Sequence, residues 1–130
     1  MSRESPLFVK TFDLLVYLLP AVEKFPRSQR VVLGRRLQEI GLGFLDLLLA
    51  ARKCTDAERP ALLRRADVDL DRLRYTVRLC HEIGLLSQKQ YRHASGLLVE
   101  VGKLLGTWIQ RYNRVGQGVR GGRQSTSDTP

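Results

Sequence analysis

The stretch EKFPRSQRVVLGRRLQEIG, residues 23–41, joins two amphipathic segments and divides the first half of the chain. Pro26 ends the first segment, and Ser28 is placed to cap the helix that follows. Four arginines lie in the first turns of this predicted helix: Arg27, Arg30, Arg35 and Arg36. Because the amino end of a helix is the positive end of its dipole, cations there do not stabilise it. Their presence points to an anionic partner.

Outward from this stretch, apolar residues recur at alternating spacings of four and three in four segments, which is helical periodicity and not strand alternation. The predicted core stripes are Phe8, Phe12, Leu15, Leu19 and Val22; Leu33, Leu37, Ile40, Phe44, Leu47 and Ala51; Leu63, Ala66, Leu70, Leu73, Val77 and Cys80; and Ala94, Leu98, Val101, Leu105, Trp108 and Tyr112. The connections between segments are short, so neighbouring helices run antiparallel. The sequence therefore predicts an all-α, up-down-up-down antiparallel four-helix bundle.

Local signals mark the ends of these helices. Ser5 followed by Pro6 is a typical start for the first, and Thr55 or Asp56 is expected to cap the third. Gly84 ends the third helix and Ser87 caps the fourth. Pro20 lies inside the first helix and is expected to kink or shorten it.

The second helix is apolar on more than one face. Between Ile40 and Ala51 only Asp46 is charged. Leu42, Leu45 and Leu49 form a second apolar face beyond the core stripe, and a helix apolar nearly all round needs cover on both sides. We expect these leucines to form an oligomer interface, although wider wrapping by the first or fourth helix would also cover them.

The chain has 22 Lys and Arg against 13 Asp and Glu, a net charge of +9. Arginine makes up 17 of the 22 cations, and its planar fork suits phosphates, which favours a nucleic-acid partner. A GC-rich genome would also enrich arginine. The longest apolar run, residues 40–51, is too short to span a bilayer, and because Lys10 and Asp13 interrupt the first apolar run we do not expect that run to be a signal peptide. These features predict a cytoplasmic protein that does not bind membranes.

The heptad-like pattern ends at Tyr112. Residues 113–130 carry Gly, Ser, Thr and Arg with few bulky side chains, so the sequence predicts a four-helix bundle over 1–112 and a disordered Gly/Arg-containing tail over 113–130. Cys54 and Cys80 fall at distant points of the predicted helices, and we expect both thiols to be free.

Motifs for chemistry are few. The sequence has no phosphate-binding glycine loop, no paired-histidine zinc helix and no carboxylate cluster, so we expect no catalytic residue, metal or cofactor. One constellation supports an enzyme. Arg74 and His81 stand two turns apart on the third helix, and an arginine followed by histidine at such spacing resembles the catalytic pattern of the HEPN ribonucleases. That family usually has a polar residue directly after the arginine, and this chain departs from the pattern with Tyr75.

Several blocks together resemble the accessory variability determinant (Avd) proteins of diversity-generating retroelements. The blocks are PLFVK at 6–10, EKFPRSQR at 23–30, LGRRL at 33–37, LRYTVRL at 73–79, GLLSQKQY at 84–91 and GKLLGTWI at 102–109. The similarity extends from residue 6 to about 112. Related four-helix bundle proteins are encoded in ribosomal RNA intervening sequences.

The resemblance implies a bundle that assembles into a pentameric barrel, binds RNA or DNA and associates with a retroelement reverse transcriptase, without chemistry of its own. That partnership supports template-RNA-primed mutagenic cDNA synthesis and retrohoming. The basic positions in matching blocks carry the expected binding of nucleic acid or reverse transcriptase: Lys24, Arg27, Arg30, Arg35, Arg36, Arg74 and Arg78. A ribosomal intervening-sequence-type bundle of unassigned role and a HEPN-type metal-independent ribonuclease using Arg74 and His81 are the alternatives.

Overall fold

The computed structural model describes residues 4–119, with side chains described through Asn113. It contains four long helices and, within the described residues, no strand. Helix α1 spans Pro6–Glu23, α3 spans Arg59–Glu82 and α4 spans Gln88–Val119. Helix α2 runs without interruption through an α-helical turn at Arg27–Gln29, a π-helical turn at Arg30–Gly34 and a long α-helical segment at Arg35–Lys53. The predicted all-α four-helix architecture is confirmed.

Contacts between side chains define an antiparallel bundle. Helix α1 lies between α2 and α4, and α3 lies between the same two helices. Gly41 of α2 lies so close to Leu15 of α1 that a Cβ there would stand 2.8 Å from a Leu15 methyl carbon. On the other side of α1, Lys10 pairs with Glu100 at 3.1 Å, and Tyr17 packs on His93 with ring centroids 4.2 Å apart.

Most of the predicted helix ends are present. The Ser5 hydroxyl accepts from the Phe8 amide, and Gly84 has φ +86°, the left-handed conformation that suits glycine after a helix. Ser87 and Gln90 exchange side-chain and backbone hydrogen bonds as a capping box. Thr55 and Glu58 do the same before α3, so the choice between Thr55 and Asp56 falls on Thr55.

One boundary expectation is wrong, and of the two effects expected of Pro20 the shortening of α1 does not occur. Helix α2 begins at Arg27 after Pro26, so Ser28 is its second residue and makes no capping hydrogen bond. Pro20 does not shorten α1, which continues to Glu23. Proline removes the amide that would bond the Val16 carbonyl, and Val16 is exposed to solvent, so water can satisfy that carbonyl.

The core stripes of α2, α3 and α4 largely match the prediction, whereas that of α1 matches at Phe8, Leu15 and Val22 and differs at two positions. Phe12, predicted to be in the core, is 56% exposed, and Leu19 is only partly buried. Leu14 and Leu18 are fully buried in their place. Because α1 is apolar on several sides, a four-three spacing can be drawn along more than one of its faces.

Arg59 ties three parts of the bundle together. Its guanidinium donates to the backbone carbonyls of Ala51 at 2.7 Å and Cys54 at 3.0 Å, and to the Asp56 carboxylate at 2.7 Å. The hydrogen bond with Asp56 raises the pKa of Arg59. Tyr112 of α4 lies under the guanidinium and donates its hydroxyl proton to the Asp56 carbonyl. The end of α2, the start of α3 and α4 are thereby held at one end of the bundle.

Both cysteines are free, as expected. Cys80 is fully buried, and desolvation raises the pKa of its thiol to about 11. Helix α4 continues to Val119, past the predicted bundle end at Tyr112, so residues 113–119 have a helical backbone where a disordered tail was expected. Residues 120–130 of that tail lie outside the described residues. Over the part of the chain that is described, no helix is long and apolar enough to cross a membrane.

Thr11 provides a test of the core. Its hydroxyl is fully buried and has no hydrogen-bond partner among the described residues. Replacing Thr11 by Val removes an unsatisfied buried polar atom at nearly constant volume, so we expect the free energy of unfolding to rise by about 1 kcal/mol. Thr76→Val is the matched control, because the Thr76 hydroxyl donates to the Arg72 carbonyl at 2.7 Å. Urea unfolding is the measurement, and equal effects of the two substitutions would contradict the assignment.

Candidate nucleic-acid interface

A groove between α3 and α4 brings together two of the predicted binding residues. It is open to solvent, has a volume of about 350 Å³ and is lined by Asp71, Arg74, Tyr75, Arg78, Tyr91, Ser95, Leu98 and Val99. Arg74 and Arg78 stand one helical turn apart on α3, so both reach the same groove. We call it the α3–α4 groove.

The two arginines of the α3–α4 groove differ in how far they are already engaged. Arg74 is half-buried and pairs with Asp71 at 2.7 Å, and its guanidinium lies directly over the backbone of Gly102 on α4. Arg78 is exposed, and among the described residues it has no carboxylate within ion-pair distance. Arg78 is therefore the arginine in this groove that is free to contact an anion.

Two tyrosines in this groove were not predicted as site residues. Tyr75 is 68% exposed on α3. Tyr91 on α4 stacks in parallel with His81, with ring centroids 4.4 Å apart and planes 1° from parallel. The spacing of Tyr75 three residues before Arg78 could have suggested it as a groove residue, whereas Tyr91 and His81 meet only through the tertiary fold.

The proposed ribonuclease pair has structural contacts at both positions. The Nδ1 of His81 lies 3.1 Å from the Leu86 carbonyl oxygen, so Nδ1 carries the proton and donates. This hydrogen bond and the stacking on Tyr91 hold the imidazole against the α3–α4 turn. Arg74 is held by Asp71. His81 does not line the α3–α4 groove that contains Arg74.

The cations around the α1–α2 turn have mixed roles. Arg30 donates to the carbonyl of Glu23 at 3.3 Å, so it satisfies a backbone oxygen at the carboxyl end of α1. Arg35 pairs with Glu39 at 3.5 Å. Arg35 and Arg36 lie more than two turns from the start of α2, where the helix dipole has little effect, so the dipole argument holds only for Arg27 and Arg30. Lys24, Arg27 and Arg36 are exposed.

A second, larger groove runs between α2 and α3. It has a volume of about 610 Å³ and is lined by Leu47, Ala61, Arg64, Arg65, Val68, Asp69 and Arg72. The cations that border α2 are therefore Arg64, Arg65 and Arg72, none of which was predicted as a site residue. Arg74 and Arg78 face α4 instead, so they do not continue into a stripe with the arginines of α2.

The predicted interface leucines belong to a wider apolar surface. Leu42 is 46% exposed, Leu49 is also exposed and Leu45 is partly buried. The contacts of Phe8 with Arg52 and of Leu15 with Gly41 set the register of α1 against α2. In that register the exposed residues Phe12 and Val16 of α1 lie level with these leucines. We call the five residues the α1–α2 apolar patch.

Comparison with known proteins places this bundle in a family. A family profile described as bAvd-like matches residues 7–112. The chain belongs to the bAvd-like family. The matched part of this bAvd-like chain covers α1 to α3 and α4 as far as Tyr112, and it includes both grooves and the α1–α2 apolar patch. No curated protein matches the chain.

The bAvd-like chain offers cations, aromatic rings and apolar side chains at its surface. Within the described residues no group of three or more His, Cys, Asp or Glu side chains could hold a metal ion. Guanidinium groups at a groove bind phosphate or carboxylate oxygens.

Gly102 allows the position of Arg74 to be tested. A Cβ at Gly102 would collide with the end of the Arg74 side chain, which is flexible and can move away. We expect Gly102→Ala to raise helix stability by up to about 1 kcal/mol and to displace the Arg74 guanidinium. Gly96→Ala is the matched control, because a Cβ there meets nothing within 4 Å. If Arg74 contributes to binding, only Gly102→Ala changes nucleic-acid affinity; equal affinities for the two variants would show that its position is irrelevant.

Proposed function

We propose that this bAvd-like chain is a non-enzymatic accessory protein that binds nucleic acid and associates with the reverse transcriptase of a diversity-generating retroelement. In this role it supports template-RNA-primed mutagenic cDNA synthesis and retrohoming. The observation that carries the proposal is the α3–α4 groove, in which the exposed Arg78 has no carboxylate partner among the described residues. The chain is a member of the bAvd-like family and has a net charge of +9. The reverse transcriptase as partner rests on family resemblance.

Binding of arginine side chains to phosphate groups determines the sequence specificity and the salt dependence expected for this protein. Phosphate contacts fix the position of a protein on nucleic acid but carry no sequence information. Arg74 and Arg78 line a groove on the protein surface between two packed helices. They are not carried on a separate helix that could enter the major groove of DNA. We therefore expect weak sequence specificity and a steep dependence of affinity on salt, because each neutralised phosphate releases counterions.

The α1–α2 apolar patch supports self-association. Solitary exposed apolar residues are common, but a contiguous patch on two neighbouring helices is a feature of interaction surfaces. We propose that a second copy covers Phe12, Val16, Leu42, Leu45 and Leu49 and that repetition of this contact builds the pentameric barrel implied by family resemblance. Five copies would carry a charge of about +45, which would concentrate nucleic acid around the assembly.

Association with the enzyme is the direct test of the accessory role. When the full chain is tagged and co-expressed with the reverse transcriptase of its retroelement, the two proteins should copurify and remain bound after nuclease treatment. Copurification lost on nuclease treatment would mean that nucleic acid alone links the two proteins. Absence of copurification would contradict the partnership.

Charge reversal at Arg78 tests the proposed contact. Arg78→Glu should weaken binding to unrelated sequences alike and reduce the slope of log affinity against log salt by about 1, because a phosphate contact is lost. Arg111→Glu, at an exposed position near the other end of α4, brings the same net charge of +7. Fluorescence anisotropy at several salt concentrations compares the two variants. Equal losses would assign the effect to overall charge and remove Arg78 from the site.

A charge in the apolar patch tests self-association. Leu42→Glu places a carboxylate where the partner copy would bury it, so we expect dissociation into subunits, since an unpaired charge in an interface is strongly unfavourable. Ala50→Glu, at an exposed position on another face of the same helix, should leave the assembly intact. Light scattering at micromolar concentration measures the mass. A wild-type mass near 14.8 kDa would contradict oligomerisation altogether.

A further inference from the structure

The α3–α4 groove contains more than a phosphate site requires. Phosphate binding needs cations, which Arg78 and Arg74 provide. The same groove also contains two tyrosine rings, and its wall includes the nearly buried Leu98 and the exposed Val99. These aromatic and apolar groups match the flat faces of nucleobases, which are themselves apolar above and below the ring plane.

Tyr75 is the ring best placed to receive a base. It is exposed by 68%, and it precedes Arg78 by three residues on α3, so ring and guanidinium are neighbours on one helical face. Tyr91 is fixed against His81, which holds the opposite wall of the groove in place. A cation one helical turn from an open aromatic face is the combination by which proteins hold a single strand: the base stacks and its phosphate meets the cation.

The size of the groove limits the occupant. About 350 Å³ lies at the lower end of the range of roughly 300–1,000 Å³ found for small-ligand pockets. This volume is of the size that one nucleotide would fill. A base inside a duplex is covered on both faces by its neighbours, so only an unpaired base can present a face to Tyr75.

We propose that the α3–α4 groove binds an unpaired nucleotide of a single-stranded RNA or DNA, with the base stacked on Tyr75 and a phosphate on Arg78. Arg74, paired with Asp71, lines the groove beside them. The inference rests on the nucleic-acid binding proposed above and adds to it a preference for single strands over duplexes. Stacking accepts all four bases, so the weak sequence specificity is retained.

The test compares one oligonucleotide in two forms. Fluorescence anisotropy with the full chain measures the affinity for a labelled 20-nucleotide single strand of mixed sequence and for the same strand annealed to its complement. Tyr75→Ala should weaken single-strand binding at least about fivefold, as expected for loss of a stacked base, and should change duplex binding less than about twofold. Tyr75→Phe retains the ring and should bind both forms like the wild type.

Controls separate the inference from the function on which it rests. Leu79→Ala removes an exposed apolar side chain of α3 outside the groove and should alter neither affinity. Equal effects of Tyr75→Ala on both forms, or no effect on either while Arg78→Glu still weakens both, would overturn base stacking and leave phosphate binding intact. A lower mass of Tyr75→Ala in light scattering would assign the ring to an interface between copies and overturn the proposal. A wild-type chain that binds neither form would overturn both the inference and the nucleic-acid binding proposed above.

Discussion

The burial of one face of α3 is the constraint on which the surface chemistry of this protein depends. Leu63, Leu70, Leu73 and Val77 are almost completely removed from water between α2 and α4. Because a helix has 3.6 residues per turn, fixing this stripe fixes the direction of every other side chain on α3. Arg64, Arg65 and Arg72 are then directed to the α2 side, and Arg74 and Arg78 to the α4 side. The two basic grooves are consequences of core packing and need no separate folding information.

The arginines of this protein divide into those that stabilise the fold and those that are available to a partner. Arg59 satisfies two backbone carbonyls and one carboxylate, and Arg30 satisfies a carbonyl at the end of α1. Arg59 and Arg30 both contribute to the net charge of +9 and so attract anions at a distance. Their N–H donors are nevertheless already engaged in hydrogen bonds within the protein. Arg78 has no ion-pair partner among residues 4–113, so its donors are available to a partner. Net charge therefore measures the long-range field of the molecule better than it measures the number of contacts the molecule can make.

Sequence patterns sufficed for the architecture and for most helix ends, because periodicity and caps are local properties. The capping residues Ser5 and Ser87 and the helix-ending Gly84 illustrate this. The stripe on α1 was placed correctly at Phe8, Leu15 and Val22 and wrongly at Phe12, because Phe12 and Leu14 are both apolar and only the positions of α2 and α4 decide which is buried. At the candidate site, Arg74 and Arg78 were predicted from family resemblance, and the structure brings both to one groove. Tyr91, which reaches the groove from another helix, could not be found from local sequence, and neither could the structural role of Arg59.

The contact between α1 and α4 has a consequence for how the chain folds. Three of the four helix–helix boundaries join helices that are consecutive in sequence and connected by short turns, so the entropy lost in forming them is small. The fourth boundary brings together Lys10 and Glu100, which are 90 residues apart. Loop closure over this length becomes cheap only after α2 and α3 have paired and shortened the path between the two ends. We therefore expect the first helix to dock against the last after the hairpins of consecutive helices have formed.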